Sequence, residues 1–130
     1  MSRAAKRSVS EKRAALRRGQ YGETLALLSL ILRFYRIEAR NYTAHQGEID
    51  IIARRGRVIA FIEVKARADW AQAEAAIDGH KLTRMTRAAS HWLMRHAWAT
   101  DYTLRLDAID IVPWRWPRHR TDIAPLGVGH

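Results

Sequence analysis

Apolar residues recur at helical spacing in the first third of the sequence and predict a helix there. Leu25, Leu28 and Leu32 fall on one stripe, which is typical of a helix that buries one face. Gly19 interrupts this pattern and lowers helix stability at that position. We therefore predict a helix within residues 11–36 whose second half is buried.

Three shorter apolar stretches follow this helix, and turn-forming residues separate them. The first turn contains Gln46-Gly47 and the second contains Gly56, as is typical of β-hairpins. The third stretch is apolar on both faces up to Glu63, as expected for a central strand that is covered on both sides. The predicted strands cover about 37–44, 48–54 and 57–66.

A second helix and a fourth strand complete the pattern. Ile77, Met85 and Trp92 lie at helical spacing within residues 72–98, and a strand-like stretch follows at 102–112. A helix that links two strands of one sheet implies a right-handed parallel crossover. The order αβββαβ therefore predicts an α/β fold in which a mixed sheet is flanked by helices.

Composition divides the chain into three parts. A length of 130 residues suits one hydrophobic core, and neither an internal repeat nor a second domain is visible. Toward the C-terminus the apolar period is lost. The predicted parts are a basic flexible tail at 1–18, a folded domain at 19–112 and a segment containing tryptophan and arginine at 113–130.

In the C-terminal segment, Trp114 and Trp116 alternate with Arg115 and Arg118. Aromatic rings interleaved with arginine could stack on the bases of single-stranded or branched nucleic acid. The two tryptophans could equally cover one edge of the sheet. The sequence leaves both interpretations open.

Positive charge is concentrated near the N-terminus. Residues 1–18 carry seven lysines and arginines against one acid, Glu11, so they supply +6 of the formal net charge of +10. Such a charge attracts a polyanion over a Debye length of about 8–10 Å, and nucleic acid is the commonest polyanionic partner. The alternative is a solvated tail that only aids solubility.

Several classes of protein are excluded or disfavoured by what the sequence lacks. Without cysteine it has no disulfide, thiolate metal site or cysteine nucleophile. The longest apolar run, around residues 25–32, is far shorter than the ~20 residues that span a bilayer, and no apolar stretch typical of a secretory signal follows the basic start. We expect a cytoplasmic protein with no membrane partner.

Three charged residues lie within the apolar strands. A buried carboxylate is costly unless it is paired, hydrogen-bonded or bound to a metal. Glu63 and Lys65 share one strand face, and the hairpin can bring Asp50 beside Glu63 if the register allows it. A Mg²⁺ ion between the two carboxylates would offset their repulsion. The alternative is an ordinary Glu63–Lys65 ion pair with Asp50 at a strand end.

These residues belong to a pattern that resembles the YraN-type family of uncharacterised bacterial proteins. That family is similar to Holliday-junction resolvases of the PD-(D/E)xK nuclease superfamily. The central match is the run of residues 47–53, Gly-Glu-Ile-Asp-Ile-Ile-Ala, followed by Phe-Ile-Glu-Val-Lys at 61–65. Further matching positions are Gly19, Gly22, Glu23, Arg40, Asn41, Lys81, Ala88, Ala89, Arg105, Leu106 and Asp107.

The resemblance implies a restriction-endonuclease-like αβββαβ core and assigns roles to individual residues. The implied metal ligands for Mg²⁺, or for Mn²⁺ as its substitute, are Asp50, Glu63 and Glu23. Together with Lys65 they form the implied catalytic set. The substrate-binding candidates are Lys81, which the resemblance supplies, and the basic residues Arg17, Arg18 and Arg67.

Two functions therefore stand as hypotheses. The first is a Mg²⁺-dependent endonuclease that hydrolyses phosphodiester bonds, with DNA favoured over RNA and branched DNA as one substrate. By analogy with resolvases, which act on two symmetric strands, such an enzyme would be a homodimer. The second is a non-catalytic module on the same fold that binds nucleic acid or protein.

Overall fold

A computed structural model describes residues 21–126 of the chain. Residues 21–32 are helical and are called α1. The elements that follow are β1 (Arg36–Ala44), β2 (Gly47–Arg55), β3 (Val58–Ala66), α2 (Trp70–Ala75), α3 (Gly79–Met94), a 3-10 turn (Ala97–Ala99), β4 (Thr103–Ile111) and β5 (Arg118–Arg120). The predicted basic tail, with Arg17 and Arg18, lies outside the described residues.

The strands form one mixed sheet in the order β1-β2-β3-β4-β5. The pairs β1–β2, β2–β3 and β4–β5 are antiparallel, whereas β3 and β4 are parallel. The crossover from β3 to β4 runs through α2 and α3. The predicted α/β fold with a mixed sheet flanked by helices is therefore confirmed, and it is consistent with a restriction-endonuclease-like αβββαβ core.

Each face of the sheet carries its own apolar cluster. Phe61 and Ile52 pack with Trp92 of α3 on one face. Ile62 packs with Leu30 of α1 on the other. Side chains along β3 alternate between the two clusters, as the period of a strand requires. The central strand is thus covered on both sides, and Glu63, two residues after Phe61, belongs to the α3 face.

The prediction of one long helix over 72–98 is wrong. The helix is broken between α2 and α3, where Asp78 adopts an extended backbone and its carboxylate accepts a hydrogen bond from the N–H of Lys81 at 3.0 Å. Aspartate satisfies a free N–H at a helix start better than it serves a helix interior. Asp78 therefore begins a new helix, and the break places Lys81 in the first turn of α3.

The first helix also ends earlier than position 36. Phe34 has a φ of 68°, and the N–H of Tyr35 donates to the carbonyl of Leu30 at 3.0 Å. A helix end of this left-handed type usually has glycine or asparagine at this position. Because the residue here is a phenylalanine, the sequence gives no signal that the helix ends. The short strand β5 was not predicted at all. No helix in residues 21–126 is long and apolar enough to cross a membrane.

Candidate active site

The site begins where the ladder between β2 and β3 stops. Their paired residues end at Ile51 and Ile62, and the next position would place Asp50 opposite Glu63. There the Oδ2 of Asp50 accepts the backbone N–H of Val64 at 2.8 Å. The Asp50 side chain thus takes a hydrogen bond from β3 beyond the end of the regular ladder, and this contact fixes its carboxylate beside Glu63.

Asp50 and Glu63 are close enough to affect each other's ionisation. Burial and the negative charge of Glu63 raise the pKa of Asp50 to about 7, although the N–H of Val64 acts in the opposite direction. A like charge and loss of water both disfavour the ionised carboxyl. The two carboxyl groups therefore form the unfavourable pair that was expected if the hairpin register brought them together.

Glu63 is the more buried of these two acids, and its side chain is 2% exposed. Its Oε1 lies 3.0 Å from the ammonium of Lys65 and 3.0 Å from that of Lys81. Its Oε2 is buried and accepts no hydrogen bond from a fixed donor among the described residues, although the Asp50 carboxyl can bond to Glu63 when it is protonated. Buried polar atoms are nearly always hydrogen-bonded, so this oxygen is a position at which a ligand would satisfy the site.

Lys81 joins α3 to both neighbouring strands. Its ammonium lies 2.7 Å from Glu48 of β2 as well as 3.0 Å from Glu63 of β3. Burial lowers the pKa of Lys81, but the hydrogen bonds and charges of Glu48 and Glu63 outweigh burial and raise it overall. The lysine is therefore held as a cation inside the site, next to the candidate ligands.

Gly47 allows this close approach of α3 to β2. A Cβ atom placed on Gly47 would lie 2.2 Å from the carbonyl oxygen of Arg84 and 2.9 Å from the backbone nitrogen of Ala88. The backbone of α3 thus packs directly on the first residue of β2. As a result, the next residue, Glu48, lies beside Lys81 of α3.

Glu23 is the implied ligand that is placed differently. Its Oε1 lies 3.6 Å from Arg40 of β1 and has no hydrogen-bond partner among the described residues. Within residues 21–126, no group of three or more histidine, cysteine, aspartate or glutamate side chains is arranged to hold a metal. The structure thus brings together Asp50, Glu63, Lys65 and Lys81, with Glu23 paired to Arg40.

The remaining substrate-binding candidate in the described part is Arg67. It follows the end of β3, its N–H donates to the carbonyl of Ile111 at 3.0 Å, and its guanidinium donates to the carbonyl of Ala66 at 2.8 Å. It therefore lies at the carboxyl ends of the parallel strands β3 and β4, two residues after Lys65.

The sequence analysis noted Arg105, Asp107 and Arg118 but predicted none of the contacts between the charged residues of β4 and β5. Asp107 is fully buried and accepts hydrogen bonds from Arg105 at 2.8 Å and from the N–H of Asp122 at 3.0 Å, and its Oδ2 lies 2.7 Å from the Nε2 of His119. Although burial raises the pKa of Asp107, these hydrogen bonds lower it overall. The sequence signal that could have predicted these contacts is an aspartate inside an apolar strand, as for Asp50.

The chemistry of the donors fits a hard divalent cation. Mg²⁺ takes oxygen ligands, keeps several waters and is commonly bound through one or two carboxylates. Asp50 and Glu63 supply two adjacent carboxyl groups, and Glu63 has a buried oxygen without a fixed hydrogen-bond donor among the described residues. A cation would also offset the repulsion that raises the pKa of Asp50. These two residues are the ones that would hold the metal.

Similarity to other proteins extends over all residues of the candidate site. The family model described as "Uncharacterised protein family UPF0102" matches residues 22–111. A UPF0102 protein of Methylorubrum populi is 54% identical over 110 residues, which cover 85% of this chain and 88% of the relative. A UPF0102 protein of Methylocella silvestris is 47% identical over 123 residues, covering 95% and 99%. The YraN-type resemblance is confirmed, and the chain belongs to the UPF0102 family.

Proposed function

We propose that this protein is a metal-dependent phosphodiesterase that acts on nucleic acid in the cytoplasm, with DNA preferred to RNA. The observation that carries the proposal is the pair of carboxyl groups of Asp50 and Glu63, with the buried Oε2 of Glu63 and two lysines beside it. This arrangement supports the proposal because Asp50, Glu63 and Lys65 are residues that the resemblance to PD-(D/E)xK nucleases implies for the site.

The chain's own residues would divide the work in the following way. Asp50 and Glu63 would hold Mg²⁺ or Mn²⁺, which when bound supplies Lewis-acid polarisation of a phosphate oxygen. Lys65, with its ammonium 3.0 Å from Glu63, would orient the attacking water and offset negative charge that develops on the phosphate. Lys81 would keep the acidic pair from repelling the substrate before reaction.

Positive charge next to the site supports an anionic substrate. A groove beside Glu48 is lined by His80, Arg84 and Arg87 of α3 together with the turn between β1 and β2. Arg84 lies 3.5 Å from Glu48, so its charge is only partly neutralised. Arginines on one helix face contact phosphates in many nucleic-acid complexes. This groove would position the phosphate backbone against Asp50 and Glu63.

A cleavage screen tests the proposal directly. Linear, flapped and four-way DNA and RNA are incubated with Mg²⁺ or Mn²⁺, and we expect cleavage of at least one DNA substrate. Glu63→Gln should reduce the rate by roughly 100-fold or more, since it weakens binding of the metal that would stabilise charge at the reacting phosphate. Glu38→Gln is the control because Glu38 is another acid of the sheet, with a side chain 17% exposed that pairs with Arg54 at 3.1 Å away from the site.

Metal binding gives a second readout that does not require turnover. A ligand bound only by the native state raises the free energy of unfolding, by about 2.7 kcal/mol at 100 times its Kd. Mg²⁺ should therefore raise the melting temperature of the parent and of Glu38→Gln, whereas Asp50→Asn should abolish the rise. No shift at millimolar Mg²⁺ in the parent would contradict the proposed metal site.

One observation favours a second candidate, a binding module without catalysis. Glu63 already has two lysines at 3.0 Å, and these ion pairs alone can explain its burial. A module of this kind would bind nucleic acid equally well in Mg²⁺ and in chelator and would cleave none of the substrates. Those two results together would replace the nuclease proposal.

A further inference from the structure

An aromatic and basic groove lies at the same end of the sheet as Lys65, on the α1 side. We call it the tryptophan groove, and its volume is about 540 Å³. The start of the described part of α1, the end of β3 and the loop after β4 enclose it. The lining residues that matter here are Tyr21, Arg67, Trp114, Arg115 and Trp116.

The two tryptophans of this groove are unusually open to solvent. Trp114 is 101% exposed and Trp116 is 57% exposed, whereas Trp92 in the core is 2% exposed. They therefore do not cover the sheet edge, which was one of the two interpretations left open by the sequence. A large apolar ring held in water marks a binding surface when it stands beside others of its kind.

The backbone at Trp114 has an uncommon conformation, which five other described residues that are not glycine share. Its φ is 63°, in the left-handed region that residues other than glycine rarely adopt. Strained conformations of this kind persist where the surrounding structure holds them, and they concentrate at binding and catalytic sites. The loop between β4 and β5 thus leaves the indole of Trp114 exposed to solvent.

The charge of the groove selects an anionic occupant. Arg67 and Arg115 line it alongside the aromatic rings. Arg67 is two residues beyond Lys65, a distance of roughly 7 Å along a strand. A single strand crossing the end of β3 could therefore contact both the groove and the candidate active site.

We propose that the tryptophan groove binds unpaired nucleotides, with bases stacked on Trp114 and Trp116 and phosphates bound by Arg67 and Arg115. Aromatic side chains stack on bases whose faces are free, and a continuous duplex hides those faces. The proposal deepens the proposed function, on which it rests for its substrate. It assigns single-stranded or branched nucleic acid rather than continuous duplex.

The test measures binding of the full chain in chelator, so that cleavage plays no part. Fluorescence anisotropy compares a labelled single-stranded oligothymidylate with a duplex of equal length, and a single-stranded RNA distinguishes the two sugars. For Trp114→Ala we expect binding of the single strands to weaken by about 10-fold, since stacking on one aromatic ring has an effect of this size. Duplex binding should change by less than about 2-fold.

Phe34→Ala is the matched control for this substitution. Phe34 is also an aromatic residue, 88% exposed with a φ of 68°, but it lies beyond the C-terminal end of α1. Tyr21, which lines the groove, is at the other end of the described helix, roughly 18 Å away. Phe34→Ala should therefore leave binding of single strands unchanged. Arg115→Gln should lower the affinity for both the single strands and the duplex, and it should reduce the salt dependence of binding.

The outcomes separate this proposal from the nuclease proposal. Preferential binding of single strands that depends on Trp114 supports the groove even if no substrate is cleaved. Equal weakening of single-stranded and duplex binding by Trp114→Ala would overturn it, as would no weakening of either. A change from dimer to monomer in Trp114→Ala, with single-strand binding unchanged, would overturn it in favour of an interface between two copies of the chain.

Discussion

The ammonium of Lys81 lies 3.0 Å from the carboxylate of Glu63, and this contact joins the first turn of α3 to the central strand. The lysine side chain is 16% exposed and the glutamate 2%. An ion pair this deep in the protein differs from a surface pair because removing Lys81 leaves the buried Glu63 with less compensation, from Lys65 alone. The site and the stability of the fold are therefore coupled through one contact.

Lys81→Met should lower the free energy of unfolding by on the order of 3 kcal/mol in chelator, because it leaves Glu63 with Lys65 alone. Urea denaturation measures this change. Arg84→Met is the matched control on the same helix, since Arg84 reaches only Glu48, at 3.5 Å, and about a third of its side chain is exposed. Arg84→Met should lower the free energy of unfolding by less than about 1 kcal/mol. Equal costs for both variants would show that the Lys81–Glu63 contact is not coupled to stability.

The stability of the metal-free protein should fall as pH rises toward neutrality. Burial and Glu63 raise the pKa of Asp50 from 3.8 to about 7, so the native state binds a proton that the unfolded state has lost. The contribution of Asp50 is complete below pH 3.8 and is lost as pH rises through about 7. One such group changes stability by at most about 1.4 kcal/mol per pH unit.

Asp50→Asn isolates this effect. Urea denaturation of parent and variant in chelator, from pH 5 to pH 8, should show that the parent loses stability relative to the variant as pH rises. The reason is that asparagine cannot acquire the buried charge. Parallel curves across this range would mean that Asp50 titrates in the folded protein as it does in the unfolded chain.

Substitution of Gly47 should disrupt the site through the position of α3. Gly47→Ala places a Cβ 2.2 Å from the carbonyl oxygen of Arg84, so the helix must move. We expect a loss of roughly 1–3 kcal/mol in the free energy of unfolding, as for overpacked cores. Gly79→Ala, at the start of α3, is the control because its Cβ meets nothing within 4 Å. If Gly79→Ala is as costly, the close packing at Gly47 is not the cause.

Salt dependence should reveal which arginines contact phosphates. Each phosphate contact on duplex DNA contributes about −0.9 to the slope of log affinity against log salt concentration. Arg87 lies in the groove beside Glu48, so Arg87→Gln should reduce the magnitude of the slope by about 0.9, the value for one phosphate contact. Arg36→Gln is the control, since Arg36 lies on β1 with a side chain 75% exposed and outside this groove. Equal slopes for parent and Arg87→Gln would remove Arg87 from the binding surface.

Much of the fold could be predicted because it depends on periods that the sequence displays directly. Strand alternation and turn residues predicted β1 to β4 within one or two residues of their observed bounds. The same alternation showed that Asp50 and Glu63 could meet across a hairpin. Their proximity needed only the register, which the buried isoleucines of β2 and β3 determine because a slip by one residue would expose them.

What could not be predicted depends on contacts between distant residues. Arg40 pairs with Glu23 although 17 positions separate them, and no local pattern signals the choice. The strand β5 is only three basic or imidazole residues long, so it has no apolar period. Its position is determined by Asp110 and Asp107 of β4, whose buried carboxylates contact Arg118, His119 and Arg120.

The strand β5 has a consequence for how copies of the chain can associate. The outer edge of a sheet offers free N–H and C=O groups to which another chain can add a strand, and short charged edge strands discourage this. Within residues 21–126, that edge next to β4 consists of the three residues Arg118–Arg120. A continuous sheet running through two copies at this edge is therefore disfavoured. A homodimer of the kind that resolvases form would have to use helix or loop surfaces, or the opposite edge at β1.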